Sequence, residues 1–295
     1  MHINYLRVFL VCIFSVAFAN AQTTDIARVE YMHIPFAKSK NSLSRYRALL
    51  QIPVPLDKER NHILVLGLEY RFIDITIKDS VPFDPLQVNS VERMELALGY
   101  VFKIAGNWRL GIRTAARISS TLNQSAHGDD YIYNAAVYAI NNVSNPKDGK
   151  PYRLIFGLNY STTPGRNYPL PLIDYSKRFR PNWDFTLGVP KTSVRHYLNE
   201  SHKDAFQAFA TLDNFFGNLQ RPITIDGKTA ENISMTIVLG GLGYEHFFTK
   251  KLRFFAYAAH SVSNDFRLRN NDRDDIYTIN DDNSFYFRGG MKFKF

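Results

Sequence analysis

The chain has 295 residues, a formal charge of +9, 17 Tyr, 23 Phe and a single Cys. Its mean hydropathy is −0.24. One cysteine excludes a disulfide framework and a CxxC redox pair. The basic residues are spread singly rather than in runs, which argues against a nucleic-acid tail.

His2 and Arg7 open a weakly basic segment, Val8 to Phe18 is apolar, and Ala19-Asn20-Ala21 forms a small-x-small site before Gln22. This is the layout of a secretory signal peptide over residues 1–21, and the apolar run is too short to span a bilayer. A buried core helix is the alternative. Cleavage would remove Cys12 and Arg7, leaving a mature chain, residues 22–295, without a thiol. No later run is long enough for a transmembrane helix.

Alternation with period two then dominates. Leu64, Leu66, Leu68, Tyr70 and Phe72 oppose Glu69 and Arg71. Met94, Leu96, Leu98, Tyr100, Phe102 and Ile104 oppose Arg93, Glu95 and Lys103. Trp108, Leu110, Ile112, Ala116 and Ile118 oppose Arg109, Arg113 and Arg117. Turning those three arginines to lipid would cost about 2–4 kcal/mol each near the bilayer midplane, comparable in sum to a domain's whole stability of about 5–15 kcal/mol. The arginine face is therefore the wet one. Tyr152 to Tyr160 and Phe285 to Phe295 repeat the pattern. Glycines 67, 99, 111, 157, 188 and 290 fall on the polar face, suiting a sheet that curls closed. The pattern slips at Gly240-Gly241, which predicts a β-bulge there.

Short connections near 57–59, Gly106, 147–149, 181–182, 201–202 and 249–250 alternate with longer polar ones at 80–89, 121–130, 217–230 and 264–283. That asymmetry predicts an all-β, single-chain antiparallel transmembrane barrel of about 14 strands, with both termini on the short-turn side. Twelve strands is the alternative, since Pro171 to Asn199 could hold fewer. Trp108 and Trp183 each follow a short turn, as a periplasmic aromatic girdle requires. Pro35, Pro53 and Pro55 fit a closed barrel poorly. A three-residue turn at Ala105-Gly106-Asn107 would keep wet residues opposite one another, placing Lys103 against Arg109, Gly99 against Arg113 and Glu95 against Arg117. Phe293 and Phe295 end the chain like a barrel-assembly signal. A soluble sandwich or lipocalin-like fold is the competing architecture.

The segment Tyr168-Pro169-Leu170-Pro171-Leu172-Ile173-Asp174-Tyr175, with Asn182-Trp183 and Leu187-Gly188-Val189-Pro190, resembles domain-of-unknown-function family 6268, predicted outer-membrane barrels. The resemblance implies the fold and no activity.

There is no GxGxxG, Walker loop, HExxH or GxSxG. Asn270 to Asp275 lacks EF-hand spacing and is interrupted by Arg273, so it reads as a solvated loop rather than a Ca²⁺ site. No metal, cofactor or catalytic residue is expected. One enzyme reading remains: an outer-membrane lipid hydrolase using His260 and Ser263, which share a face only if a bulge intervenes.

Lumen charge is the feature with functional content. The basic candidates are Arg71, Arg93, Lys103, Arg109, Arg113, Arg117, Arg153, Arg178, Arg253, Arg288, Lys292 and Lys294. The acidic ones are Glu69, Glu95, Asp174, Asp184, Asp213 and Glu245. Glu95 is expected to pair with Arg117 and Arg71 to meet Glu69 or Glu95, while Arg109, Arg113, Lys103, Lys292 and Lys294 find fewer acids. Two readings follow: a passive pore for small, preferentially anionic solutes, or a structural or interaction barrel whose lumen is salt-bridged and plugged by loops or inward aromatics such as Tyr257. The expected partners are the outer-membrane bilayer and the barrel-assembly machinery, with no nucleic acid.

Overall fold

The computed structural model describes residues 25–144 and 150–294. The signal segment 1–21, the 147–149 turn and Phe295 lie outside the described residues.

Fifteen strands form one antiparallel sheet: β1 (Asp25–Pro35), β2 (Ser42–Pro55), β3 (His62–Thr76), β4 (Ser90–Ala105), β5 (Trp108–Ser120), β6 (Tyr131–Val143), β7 (Tyr152–Ser161), β8 (Leu170–Arg180), β9 (Trp183–Val189), β10 (Lys191–Tyr197), β11 (Asp204–Ile225), β12 (Lys228–Phe247), β13 (Leu252–Arg269), β14 (Asp275–Asn280) and β15 (Phe285–Lys294). Each barrel strand pairs with its neighbours, and β12–β13, β13–β15 and β15–β1 complete the circle. The closed barrel has 14 strands. β14 stands outside it, pairing only with the extended end of β13. The stretch 171–199 supplies most of β8 and all of β9 and β10, which sets aside the 12-strand alternative.

The alternation orients the wall. Leu96 is 61% exposed on the outside while Glu95 beside it is 8% exposed. Leu68, Leu98, Ile112, Phe156, Leu158, Leu187 and Leu242 continue the outer apolar surface. Trp108 and Trp183 follow the short turns, at the same end of the barrel.

The β4–β5 register is as the sequence predicts: Glu95 faces Arg117, Gly99 faces Arg113 and Lys103 faces Arg109. The turn itself differs. Gly106 (φ +54°) and Asn107 form it, and a one-residue irregularity between Lys103 and Ala105 restores the sum. Pro53 and Pro55 also find a reason. Leu56 donates its N–H to His62 of β3, so the odd-numbered nitrogens of this stretch point toward β1. The described β1 ladder on β2 runs to Leu50, and the two prolines lie beyond it.

Three expectations are corrected. Residues 217–230 are not a loop: β11 and β12 run on as one long hairpin closed by Asp226-Gly227, both at positive φ, as a tight two-residue turn requires. Residues 264–283 likewise contain the end of β13 and all of β14. The bulge is not at Gly240-Gly241, where both ladders run without a shift; it is in β13, where Val238 pairs Ser263 and Leu239 pairs Ser261, leaving Val262 as the extra residue. The apparent slip in β12 has another cause. Ile233, Met235, Ile237 and Leu239 all point inward and are fully buried, while Asn232, Ser234 and Thr236 take the opposite face, so the apolar side of the strand changes over between its two halves.

Those four inward residues belong to an apolar core inside the external half of the barrel. Met32, Ile34, Leu43, Ile73, Ile75 and Val91 from β1–β4 pack with Phe215, Met235, Ile237 and Phe266 from β11–β13. Burying such a side chain stabilises by about 1.5–3 kcal/mol relative to leaving it in a wet lumen. A polar latch brings the hairpin to the opposite wall: Asn218 pairs with Ser120 of β5, Thr121 N–H donates to Asn218 O at 3.0 Å, and the Asn218 amide donates to Asp130 at 2.8 Å.

Candidate functional site: the charged lumen wall

Inward positions on adjacent strands are direct neighbours, so register decides which charges meet. On β2–β4, Arg47 faces Arg71 and Arg71 faces Arg93. One step toward the periplasmic end, Glu69 faces Glu95, and Glu95 faces Arg117. A row of guanidinium groups thus lies beside a row of carboxylates. Glu69 takes Arg47 at 2.5 Å and Arg71 at 2.5 Å, with Arg93 at 3.7 Å. Glu95 takes Arg93 at 3.0 Å, Arg113 at 2.5 Å and Arg117 at 2.6 Å. Five arginines therefore crowd these two carboxylates, and of the five only Arg47 also reaches Glu30, at 3.6 Å. Arg113, expected to find fewer acids, meets Glu95, because its long side chain reaches past the level of Ala97 and Ala115.

A second cluster crosses the lumen. Arg45 grips Asp213 through both terminal nitrogens, at 2.9 and 2.8 Å, and Tyr286 donates to the same carboxylate at 2.8 Å. Glu30 is ringed by Arg28, Arg45, Arg47 and Arg288. A third cluster centres on Glu245, which meets Arg195 at 3.1 Å and Arg253 at 2.9 Å and accepts from Tyr257 at 2.6 Å. Tyr257 is inward and buried.

The remaining candidates are dispersed. Arg153 meets Asp174 at 3.2 Å. Asp184 takes Arg195 at 3.3 Å. Arg178 stacks over Tyr197 and Lys292 over Phe255, 4.1 Å from the ring centre. Arg109 donates to the Arg60 carbonyl at 2.8 Å, and Lys103 is exposed at the periplasmic mouth. Lys294 meets Asp25 at 3.6 Å, a partner the sequence reading did not give it. Phe293 faces outward between Ala27 and Leu252.

Sequence reasoning missed Arg28, Glu30, Arg45, Arg47, Lys191 and Arg195. The signal for Arg45 and Arg47 was present: they alternate with Tyr46, Ala48 and Leu50. The prolines of β1 and β2 obscured it.

Val262 also changes the geometry at His260. The bulge turns Ser263 to the outer face that His260 occupies, so the two share a side. His260 Nδ1 lies 2.8 Å from the Ser261 carbonyl, and its ring packs edge-on against Phe285.

A closed antiparallel sheet with an apolar exterior and an ion-paired interior defines the class: a transmembrane β-barrel of the outer-membrane type. No protein-family model matches the chain, and no curated protein matches it in sequence. Solved structures that match it include a KdgM porin in complex with disordered oligogalacturonate, at 9% identity and a TM-score of 0.36 over 91% of this chain and 99% of that one. The translocator domain of the autotransporter NalP from Neisseria meningitidis matches at 12% identity and 0.35, over 99% of this chain and 95% of that one. OmpT, an outer membrane protein of Vibrio cholerae, matches at 10% and 0.26, over 94% and 100%. None of the three lends its substrate to this chain.

Proposed function

We propose that the barrel passes small, preferentially anionic solutes along one side of its lumen, against β2–β9. The observation that carries this reading is the excess of guanidinium over carboxylate on the wet wall, where five arginines surround Glu69 and Glu95. The inner face of β7–β9 is small or polar at Gly157, Ser176, Thr186 and Gly188. Arg113 and Asp174, with side chains 35% and 33% exposed, are the most open members of the ion pairs in this region. A charge acts over about 10 Å at 0.1 M salt, so the excess biases ions that pass near it.

A second reading, a plugged structural barrel, is favoured by the apolar core and by the Arg45–Asp213 bridge. Reversal potential across a planar bilayer under a KCl gradient separates the two. The expected result is a potential on the anion side. Cation selectivity would contradict the assignment, and inserted barrel without conductance would establish the plug.

The same proposal assigns no enzyme activity: the His260 ring is engaged by Ser261 and Phe285 rather than by Ser263. Phospholipid turnover lost in His260→Ala would overturn that. Membership of the barrel family that Tyr168 to Tyr175 resembles, and delivery by the assembly machinery through Phe293 and Phe295, are parts of the proposal as well. Lower assembled yield after deleting Phe295 than after Lys294→Ala tests the delivery.

A further inference from the structure

We propose that the Arg47–Arg71–Arg93 row is a binding site for a free divalent oxyanion. The inference rests on the reading of the lumen as open to anions. Like charges directly opposite on neighbouring strands are destabilising, and here three stand in succession on strands about 4.8 Å apart. Arg47 is engaged by Glu69 and Glu30, but the carboxylates do not use up the donors of Arg71 and Arg93. Arg71 gives only Nε to Glu69, which leaves its two terminal nitrogens without a carboxylate among the described residues. Arg93 divides one terminal nitrogen between Glu69 and Glu95, and its buried Nε has no partner. All three side chains keep 14–18% of their surface accessible.

The surroundings set the chemistry. Toward the external end the next inward residues are Arg45, already held by Asp213, and the buried Ile73 and Val91. The inward positions on that side are filled, so approach is from the periplasmic half. Guanidinium forks match oxyanions in a plane and bind them through paired hydrogen bonds, which a halide cannot exploit. A tetrahedral dianion can bridge two adjacent forks and offset the residual charge. The row faces the lumen and not lipid, which selects a free anion over a phospholipid headgroup.

The test is isothermal titration of sulfate, and separately of inorganic phosphate, into refolded barrel in detergent at low ionic strength. One saturable site is expected. Arg71→Gln should weaken it at least about tenfold, the loss of a charged hydrogen-bonding group, and Arg71→Lys should weaken it less. Arg221→Gln, which removes an exposed charge at the end of the hairpin, should leave it unchanged. Gel mobility before and after heating confirms that each variant is folded, and Arg93→Gln replaces Arg71→Gln if the latter is not. Absence of a saturable site, or a site indifferent to both glutamine variants, would overturn the proposal. Titration requires no flux. A binding barrel without conductance would refute the pore and leave the site standing, whereas an anion-selective barrel that binds no sulfate would refute the site alone.

Discussion

Arg45 on β2 and Asp213 on β11 meet across the full width of the barrel, 168 positions apart in sequence, through two hydrogen bonds of 2.9 and 2.8 Å. Tyr286 and Arg288 close on the same carboxylate from β15. The contact ties opposite walls together at the inner boundary of the apolar core.

Removing one member leaves a buried charge without its partner, which costs about 3–5 kcal/mol, whereas replacing both by apolar residues of similar size is nearly neutral. Arg45→Met should therefore lower the urea midpoint of the refolded barrel strongly, and adding Asp213→Leu should recover much of the loss. Additive losses in the double variant would show that the two do not act as a pair.

The apolar core makes a second prediction. Phe215 is buried against Phe266, their rings 5.8 Å apart. Phe215→Ala should cost about 3–5 kcal/mol and leave a cavity. If the core is what narrows the lumen, single-channel conductance should rise in the same variant. A stability loss with unchanged conductance would mean that the path avoids the core altogether.

Placement in the bilayer can be checked by charge. Leu96→Arg puts a guanidinium on the outer face at mid-strand and should cost about 2–4 kcal/mol. Leu86, in the short 3-10 turn between β3 and β4, is 69% exposed beyond the strands, and Leu86→Arg should be near neutral. Equal effects would contradict the membrane boundary.

The latch between hairpin and wall is predicted to depend on pH. Asp130 lies in the external connection between β5 and β6. Burial alone would raise its pKa, but hydrogen bonds from Ser120, the His127 N–H, Asn218 and Gln220 hold it below the ordinary 3.8. A lowered folded-state pKa contributes stability above the unfolded value, lost as pH falls through the folded one. Amide exchange at Thr121, whose N–H bonds Asn218, should therefore stay slow at neutral pH relative to intrinsic rates and lose protection below about pH 3.8. Asp130→Asn should abolish that pH dependence.

Much of this barrel was legible in the sequence because a strand's side chains alternate with a fixed period. Leucine beside arginine at every second position left one consistent choice of faces for β3, β4 and β5, and face parity then forced Glu95 opposite Arg117. Proline and a change of apolar face within one strand broke that logic. Pro53 and Pro55 hid Arg45 and Arg47, although the β2–β3 ladder runs through both prolines. Ile233 to Leu239 looked like a slipped register because the strand's apolar face turns inward there, onto the core, while Asn232, Ser234 and Thr236 take the other side. The Asp226-Gly227 turn carries a hairpin signal, masked by the polar residues around it.

What the sequence determined alone was the class of fold, the strand polarity and the local register, all set by contacts between neighbours in the chain. Which charges meet across the lumen depended on tertiary structure. Closure brings β2 to face β11, and only then does Arg45 find Asp213 and the external half fill with side chains from opposite walls. No period in the sequence encodes a distance across a barrel; that distance is fixed by strand number and by the hairpin that leans onto β5.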